Sequence, residues 1–198
     1  FLINKLGMIY NLVDIKFRAW HAGESYWNKI IDINSSSIGI ELDNSGHHYN
    51  HEKYTNIQIK SLINLLLFLK SEYRIKDQNI LAHSDIAPYR KIDPGEKFPW
   101  RKISNVNLVK IPKKSNKKTI LIIENFFKKK LLNTLNTKTL YMLSKFGYNV
   151  FPAAKNKKNF TLLIRSYQMH FRAKNVSGCL DAETYEVLIG HFKESLTI

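Results

Sequence analysis

Apolar positions change period along the chain, and each change predicts an element. Phe1–Ile3 and Met8–Val13 read as short strands on either side of a turn at Asn4–Gly7, where Gly7 supplies a permissive backbone. In Ser37–Leu42 the apolar residues are Ile38, Ile40 and Leu42, a period of two, so Glu41 projects from the opposite face to its neighbours. From Thr55 to Tyr73 the spacing lengthens to that of a helix, with Ile59, Leu62, Ile63, Leu66 and Leu69 on one face and Thr55 as N-cap. Leu65, Leu67 and Phe68 fall on other faces of that helix, which predicts burial on more than one side. Asn79–Ala82 reads as a strand ending at His83, and Ser84–Gly95 as an irregular loop fixed by Pro88 and Pro94. Strands alternating with a helix predict α/β architecture for residues 1–100. Three helices are predicted beyond it: Thr137–Phe146 stopping at Gly147, Asn159–Phe171, and Asp181–Phe192 capped by Asp181.

Charge divides the chain in the same places. The 198 residues carry a net charge of +15, but residues 1–100 hold 12 basic and 11 acidic groups. Residues 101–130 hold 10 basic and 1 acidic, and residues 131–198 hold 9 and 4. The predicted organisation is therefore a near-neutral unit (1–103), a basic connector (104–131) and a small basic helical unit (132–198). In the connector, Lys113, Lys114, Lys117, Lys118 and Lys128–Lys130 flank a β-type run at Thr119–Ile123. A net charge of this size first suggests nucleic acid, and suits any anionic polymer or surface equally. Nucleic acid as a partner is disfavoured because the globular first hundred residues are almost neutral. Apolar runs such as Leu65–Leu69 fall far short of the ~20 residues that span a membrane. The single cysteine, Cys179, excludes an internal disulfide and a cysteine-only metal cage.

Four places carry candidate chemistry. His83 closes a predicted strand and opens a loop bearing Asp85, Lys91 and Asp93, with Pro94 to stiffen the Asp93 carboxylate. Imidazole and carboxylate are both zinc ligands, although a strand-end His also serves as an ordinary hydrogen-bonded residue. Glu41 is a carboxylate on a predicted central strand, which needs water, a metal or a partner. Trp20, His21, Ala22 and Gly23 form a loop near Tyr26 and Trp27, either an aromatic wall or part of the core. His47, His48 and His51 follow the turn Asp43–Gly46, and no helix is predicted there to align two of them on one ion.

Taken together, Ala19-Trp-His-Ala-Gly23, Ser36-Ser-Ile-Gly-Ile-Glu41, Ala82-His-Ser-Asp-Ile-Ala-Pro-Tyr-Arg-Lys-Ile-Asp-Pro-Gly95 and Phe98-Pro-Trp100 resemble the zinc-dependent N-acetylmuramoyl-L-alanine amidases of the type 2 family. That family shares its fold with peptidoglycan recognition proteins. Tyr167–Arg172 with Gly178–Thr184 resembles the small three-helix peptidoglycan-binding module. The resemblance implies a central mixed sheet flanked by helices, followed by a small all-α domain. It implies Zn2+ on His83 and Asp93, with a third ligand, a His on a strand upstream of Phe1, missing from this chain as if it were N-terminally truncated. It further implies Glu41 as catalytic acid/base, Lys91 as the oxyanion partner, and Trp20–Gly23 as groove residues. The expected reaction is hydrolysis of the amide joining N-acetylmuramic acid to L-alanine, in the periplasm or cell envelope, with a cytoplasmic setting as the alternative. A recognition protein that binds peptidoglycan without cleaving it is the competing class.

Overall fold

Asn4 builds the first turn of the computed structural model, which describes residues 1–112, 121, 125 and 132–195. Asn4 Oδ1 accepts the backbone N–H groups of Leu6 at 3.0 Å and Met8 at 2.9 Å, and Gly7 takes a φ of +81°. The turn lays β1 (Leu2–Ile3) antiparallel to β2 (Ile9–Tyr10). On the other side β3 (Glu41–Leu42) pairs with β1 in parallel, so the sheet is mixed, in the order β2-β1-β3. These strands are shorter than the sequence pattern predicts. Before β3, Ser36 Oγ donates to the Asp32 carbonyl and Ser37 Oγ to the Ile33 carbonyl, local bonds that draw the chain away from a ladder.

The long helix α1 (Asn56–Glu72) starts as predicted, with Thr55 Oγ1 accepting from the Gln58 N–H. Ile59, Leu62, Leu65 and Leu69 pack with Ile3, Ala82, Phe98, Trp100 and Ile103. Each such side chain contributes about 1.5–3 kcal/mol on burial. Gln58 lies in the same interface and donates from Nε2 to the carbonyls of Ile3 and Asp43, fastening the helix to the sheet. Leu67 and Phe68 face outward, so α1 buries one stripe and not several faces.

A further correction concerns Asn79–Ala82. Asp77–Asn79 is a short 3-10 turn, Ile80–Ala82 runs extended without a ladder partner among the described residues, and His83 opens a helix. That helix, α2 (His83–Ile86), is fixed by Asp85, whose Oδ2 accepts the Ala82 N–H at 2.8 Å. Next comes α3 (Trp100–Ser104).

Among the described residues the C-terminal region forms four helices where the sequence pattern predicts three: α4 (Leu132–Phe146), α5 (Phe151–Lys155), α6 (Lys157–Phe171) and α7 (Ala182–Ser195). The extra one, α5, carries Pro152 in its first turn, where the missing N–H costs nothing. Asn156 then caps α6 by accepting from the Asn159 N–H, and Asp181 caps α7 through Thr184 as predicted. The Thr119–Ile123 run and the flanking lysine clusters lie outside the described residues, apart from Leu121, which is helical and exposed.

These helices share a core with the first hundred residues. Leu143, Leu163, Ile164 and Leu188 are packed in one cluster with Trp27, Ile86 and Ala87. Trp27 meets Tyr148 edge-on at 5.0 Å. It also lies over Gly147, whose φ is +119° and where a Cβ would stand 2.8 Å from the indole. At the centre is Asp85, fully buried, which accepts from Tyr148 Oη at 2.6 Å and from His170 Nδ1 at 2.7 Å. The other face of His170 stacks on Trp100 at 3.6 Å.

His191 makes this core sensitive to acid. It stacks on Phe146 at 3.9 Å, and burial pushes its pKa down from 6.5 to about 4. The unfolded chain takes up a proton near pH 6.5 while the folded one resists until about pH 4. Stability is therefore full above pH 6.5 and declines as the pH falls through that window, by up to about 3 kcal/mol from this group. Denaturant melts at pH 7 and pH 4 should show this loss, and His191→Phe should reduce it.

Candidate active site

The short helix α2 and the loop after it place His83 and Asp93 side by side. His83 Nδ1 lies 2.9 Å from Asp93 Oδ2, and His83 Nε2 lies 3.0 Å from the Ala22 carbonyl. A carbonyl only accepts, so Nε2 donates to Ala22, and Nδ1 donates to the Asp93 carboxylate, the edge it would turn to a metal in place of that proton. Burial alone would push the Asp93 carboxyl up, but the hydrogen bond and charge of His83, helped by Lys91, outweigh it and hold the pKa below the usual carboxylate value. The Asp93 carbonyl accepts the Ser84 N–H at 3.0 Å, which pins the returning loop to α2.

The Trp20–Gly23 loop divides its work. Trp20 is 81% exposed, with the Arg18 guanidinium 4.2 Å from its ring. Trp27 is core, so only Trp20 of this pair fits the reading of an exposed aromatic wall. The backbone N–H groups of His21 and Ala22 both donate to Asn34 Oδ1, at 3.0 and 2.8 Å. Ala22 is buried and offers its carbonyl to His83, while Gly23, at a φ of +58°, leaves room for Arg90. The His21 ring lies against Gly39, where a Cβ would stand 2.4 Å from its Cγ. Burial lowers the His21 pKa, and its Nε2 is buried without a hydrogen-bond partner.

His21, Glu41, His83 and Asp93 all line one cavity of about 840 Å3. Residues 38–42 bound one side of it and the extended Ile80–Ala82 bounds another. Glu41 is exposed on β3, with its charge felt at His21. The structure thus gathers Glu41, His21, His83 and Asp93 into one space, with Lys91 acting on Asp93 through charge. Trp20 stands on a smaller adjoining hollow with His21 and Glu41.

Sequence reasoning missed three supporting residues. Arg90 donates to the carbonyls of Ala22 and Glu24 and lies 3.5 Å from His83 Nε2. Asn34 orders the Trp20–Gly23 loop, and Glu96 receives His47 and His51 but not His48. A sequence signal existed only for Arg90, which adjoins Lys91 in the Pro-constrained loop.

Known proteins resemble this chain in sequence and in fold. The N-acetylmuramoyl-L-alanine amidase family (Amidase_2) matches residues 1–96. The crystal structure of AmpDh3 from Pseudomonas aeruginosa superposes with a TM-score of 0.82 at 32% identity, covering 97% of this chain and 75% of that one. AmiD from Escherichia coli, solved with the substrate anhydro-N-acetylmuramic acid-L-Ala-D-gamma-Glu-L-Lys, superposes with a TM-score of 0.79 over 98% of this chain and 78% of that one. By sequence, the N-acetylmuramoyl-L-alanine amidase AmiD of Escherichia coli is 33% identical over 186 residues, which are 90% of this chain and 65% of AmiD. The first 96 residues, just under half of the chain, are thus similar to the N-acetylmuramoyl-L-alanine amidase family. The chain spans just under two thirds of the length of AmiD and about half that of the 1,6-anhydro-N-acetylmuramyl-L-alanine amidase AmpD of Haemophilus influenzae, to which it is 40% identical over 102 residues.

Proposed function

We propose that the protein is a peptidoglycan hydrolase, cleaving the amide between N-acetylmuramic acid and the L-alanine of the stem peptide. The observation that carries this reading is the His83–Asp93 pair, pre-set by Ala22, on the same cavity as Glu41. One imidazole and one carboxylate oxygen, 2.9 Å apart and facing each other, fit as two ligands of Zn2+. The Nε2 contact to Ala22 is the orienting bond that metal-ligating histidines characteristically make.

Catalytic zinc sites use three protein ligands, and no third His, Cys, Asp or Glu completes this pair among the described residues. The cavity supports a source for it. Its walls are the open edge of β3 and the extended Ile80–Ala82, so a strand could pair there and bring a His to the two donors. When bound, zinc would polarise the amide carbonyl and acidify a water.

The remaining work falls to the chain's own side chains. Glu41 takes a proton from the attacking water and returns it to the departing alanine nitrogen. Lys91 offsets charge that builds on the amide oxygen. Arg90 and Asn34 hold the Ala22 carbonyl on His83, fixing the imidazole in the ligating tautomer. Trp20 offers an exposed face to sugar or stem peptide, beside His21 and the Gly23 turn. Intact peptidoglycan lies in the envelope, so the periplasm or envelope is the setting that suits this substrate, with the cytoplasm the alternative for soluble fragments. The C-terminal helices are the proposed wall-binding part.

With only two donors in place, binding without hydrolysis is the second reading. Zinc content and digestion of purified wall separate the two. Protein carrying all three ligands should bind one zinc at this pair and release stem peptides. His83→Ala should abolish that release, lowering activity by 10³-fold or more, while the thermal melt changes by only a few degrees. Intact muropeptides after incubation of the zinc-loaded protein would leave the binding reading standing.

A further inference from the structure

A second donor set joins the 44–52 loop to Glu96, beside Asp93 but outside the cavity. His47, His51 and Glu96 each place one ligand atom within 4.8 Å of the others. His47 Nε2 is 2.9 Å from Glu96 Oε2, and His51 Nδ1 is 3.6 Å from Glu96 Oε1. Zinc–nitrogen and zinc–oxygen bonds of about 2.0–2.2 Å at tetrahedral angles put neighbouring donors ~3.3 Å apart. The three groups therefore need only a small adjustment to hold one ion.

Several features show that the arrangement is built rather than incidental. The His51 side chain is 8% exposed, and its Nε2 has no hydrogen-bond partner. Gly95 stands beneath both rings at a φ of +78°, and a Cβ there would lie 2.4 Å from His47 Cε1 and 2.9 Å from His51 Cε1. The two rings approach to 3.8 Å between centroids. The loop that carries them is closed on itself: Asn44 Nδ2 donates to the Glu52 carbonyl, Glu52 accepts from Ser45, and the His51 N–H donates to the Gly46 carbonyl. Lys97 Nζ donates to the His51 carbonyl from the other side. His51 itself adopts a φ of +32°, an unfavourable region for a side chain of its size.

We propose that His47, His51 and Glu96 form a second site for a borderline transition-metal dication, zinc first, that clamps the Asp93–Glu96 loop. Two imidazoles and a carboxylate are a normal zinc donor set, with water completing the four. None of the three residues lines the cavity that holds His21, Glu41, His83 and Asp93. The second ion would therefore not touch substrate. Its effect would be mechanical: it ties the 44–52 loop to Glu96, three residues beyond Asp93, and so restrains the carboxylate that faces His83.

The test separates this site from the His83–Asp93 pair by removing the latter. In the full chain carrying His83→Ala and Asp93→Ala, titration with Co2+ should still give one equivalent with a tetrahedral visible absorption, and saturating Zn2+ should raise the Tm by on the order of 5 °C. Adding His47→Ala or Glu96→Gln to that background should weaken binding at least tenfold and remove the shift. His48→Ala should change neither, which separates the site from loose binding to a histidine-bearing loop. The proposal is overturned if the background chain gives no metal-dependent shift. It is equally overturned if the shift survives both His47→Ala and Glu96→Gln. Because His47 lies at the rim of the pair and Glu96→Gln preserves shape, a metal-free melt of each variant verifies that it has folded.

Discussion

In protein carrying all its zinc ligands, Glu41→Gln lowers the rate of stem-peptide release by about 10²–10⁴-fold and leaves the thermal melt within a degree or so of the parent. The amide side chain keeps the size and most of the hydrogen bonding of the carboxylate but cannot carry a proton from water to the leaving nitrogen. Stability is untouched because Glu41 is exposed on β3. Zinc content should also stay the same, since Glu41 is proposed to act on the water and not to bind the ion. Release of peptides from purified wall, followed by chromatography of the products, measures the effect. An unchanged rate would remove Glu41 from the mechanism and shift attention to His21, the other titratable group on that wall with an unpartnered nitrogen.

Asp85→Ala is expected to have the largest effect on stability, a loss of about 3–5 kcal/mol in a denaturant melt. The carboxylate is fully buried and receives Tyr148 Oη, His170 Nδ1 and the Ala82 N–H. Truncating it strands three donors in a dry interior. Burial, which remains in the variant, holds the Tyr148 hydroxyl above its usual pKa, so it cannot ionise in compensation. The damage would reach the site, because Asp85 caps the turn that positions His83. Activity and stability should fall together in this variant, in contrast to Glu41→Gln.

The nearness of His83 and Asp93 was more legible in the sequence than the sheet, for physical reasons. His83 and Asp93 are ten positions apart in a Pro-constrained loop, so a local reading can join them. The helix α1 was legible because Thr55 and the 3–4 spacing act within a few turns. Asn79–Ala82 was misread because its backbone is extended, which the residues favour, yet ladder pairing depends on a neighbour the local pattern cannot see. Leu67 and Phe68 looked like core because side-chain type is visible in sequence and partners are not. Asp85 was read only as one of the carboxylates in the loop after His83, whereas its partners Tyr148 and His170 lie 63 and 85 positions away. Likewise, His47 and His51 had no predicted helix to align them. They are aligned instead by the closed 44–52 loop and by the absence of a side chain at Gly95.

The core that joins α6 to α2 changes what the C-terminal helices can contribute. A binding module on a slack linker raises the local concentration of substrate and lets the catalytic part sweep over a radius set by linker length. Here Ser166 Oγ donates to the Ser84 carbonyl at 2.7 Å, one residue from His83, and Trp100 stacks on His170. Such a bundle does not sweep. Any polymer it grips is offered to His83 at one fixed offset, as a workpiece is held in a jig, and lengthening the 104–131 segment should leave the pattern of cuts unchanged.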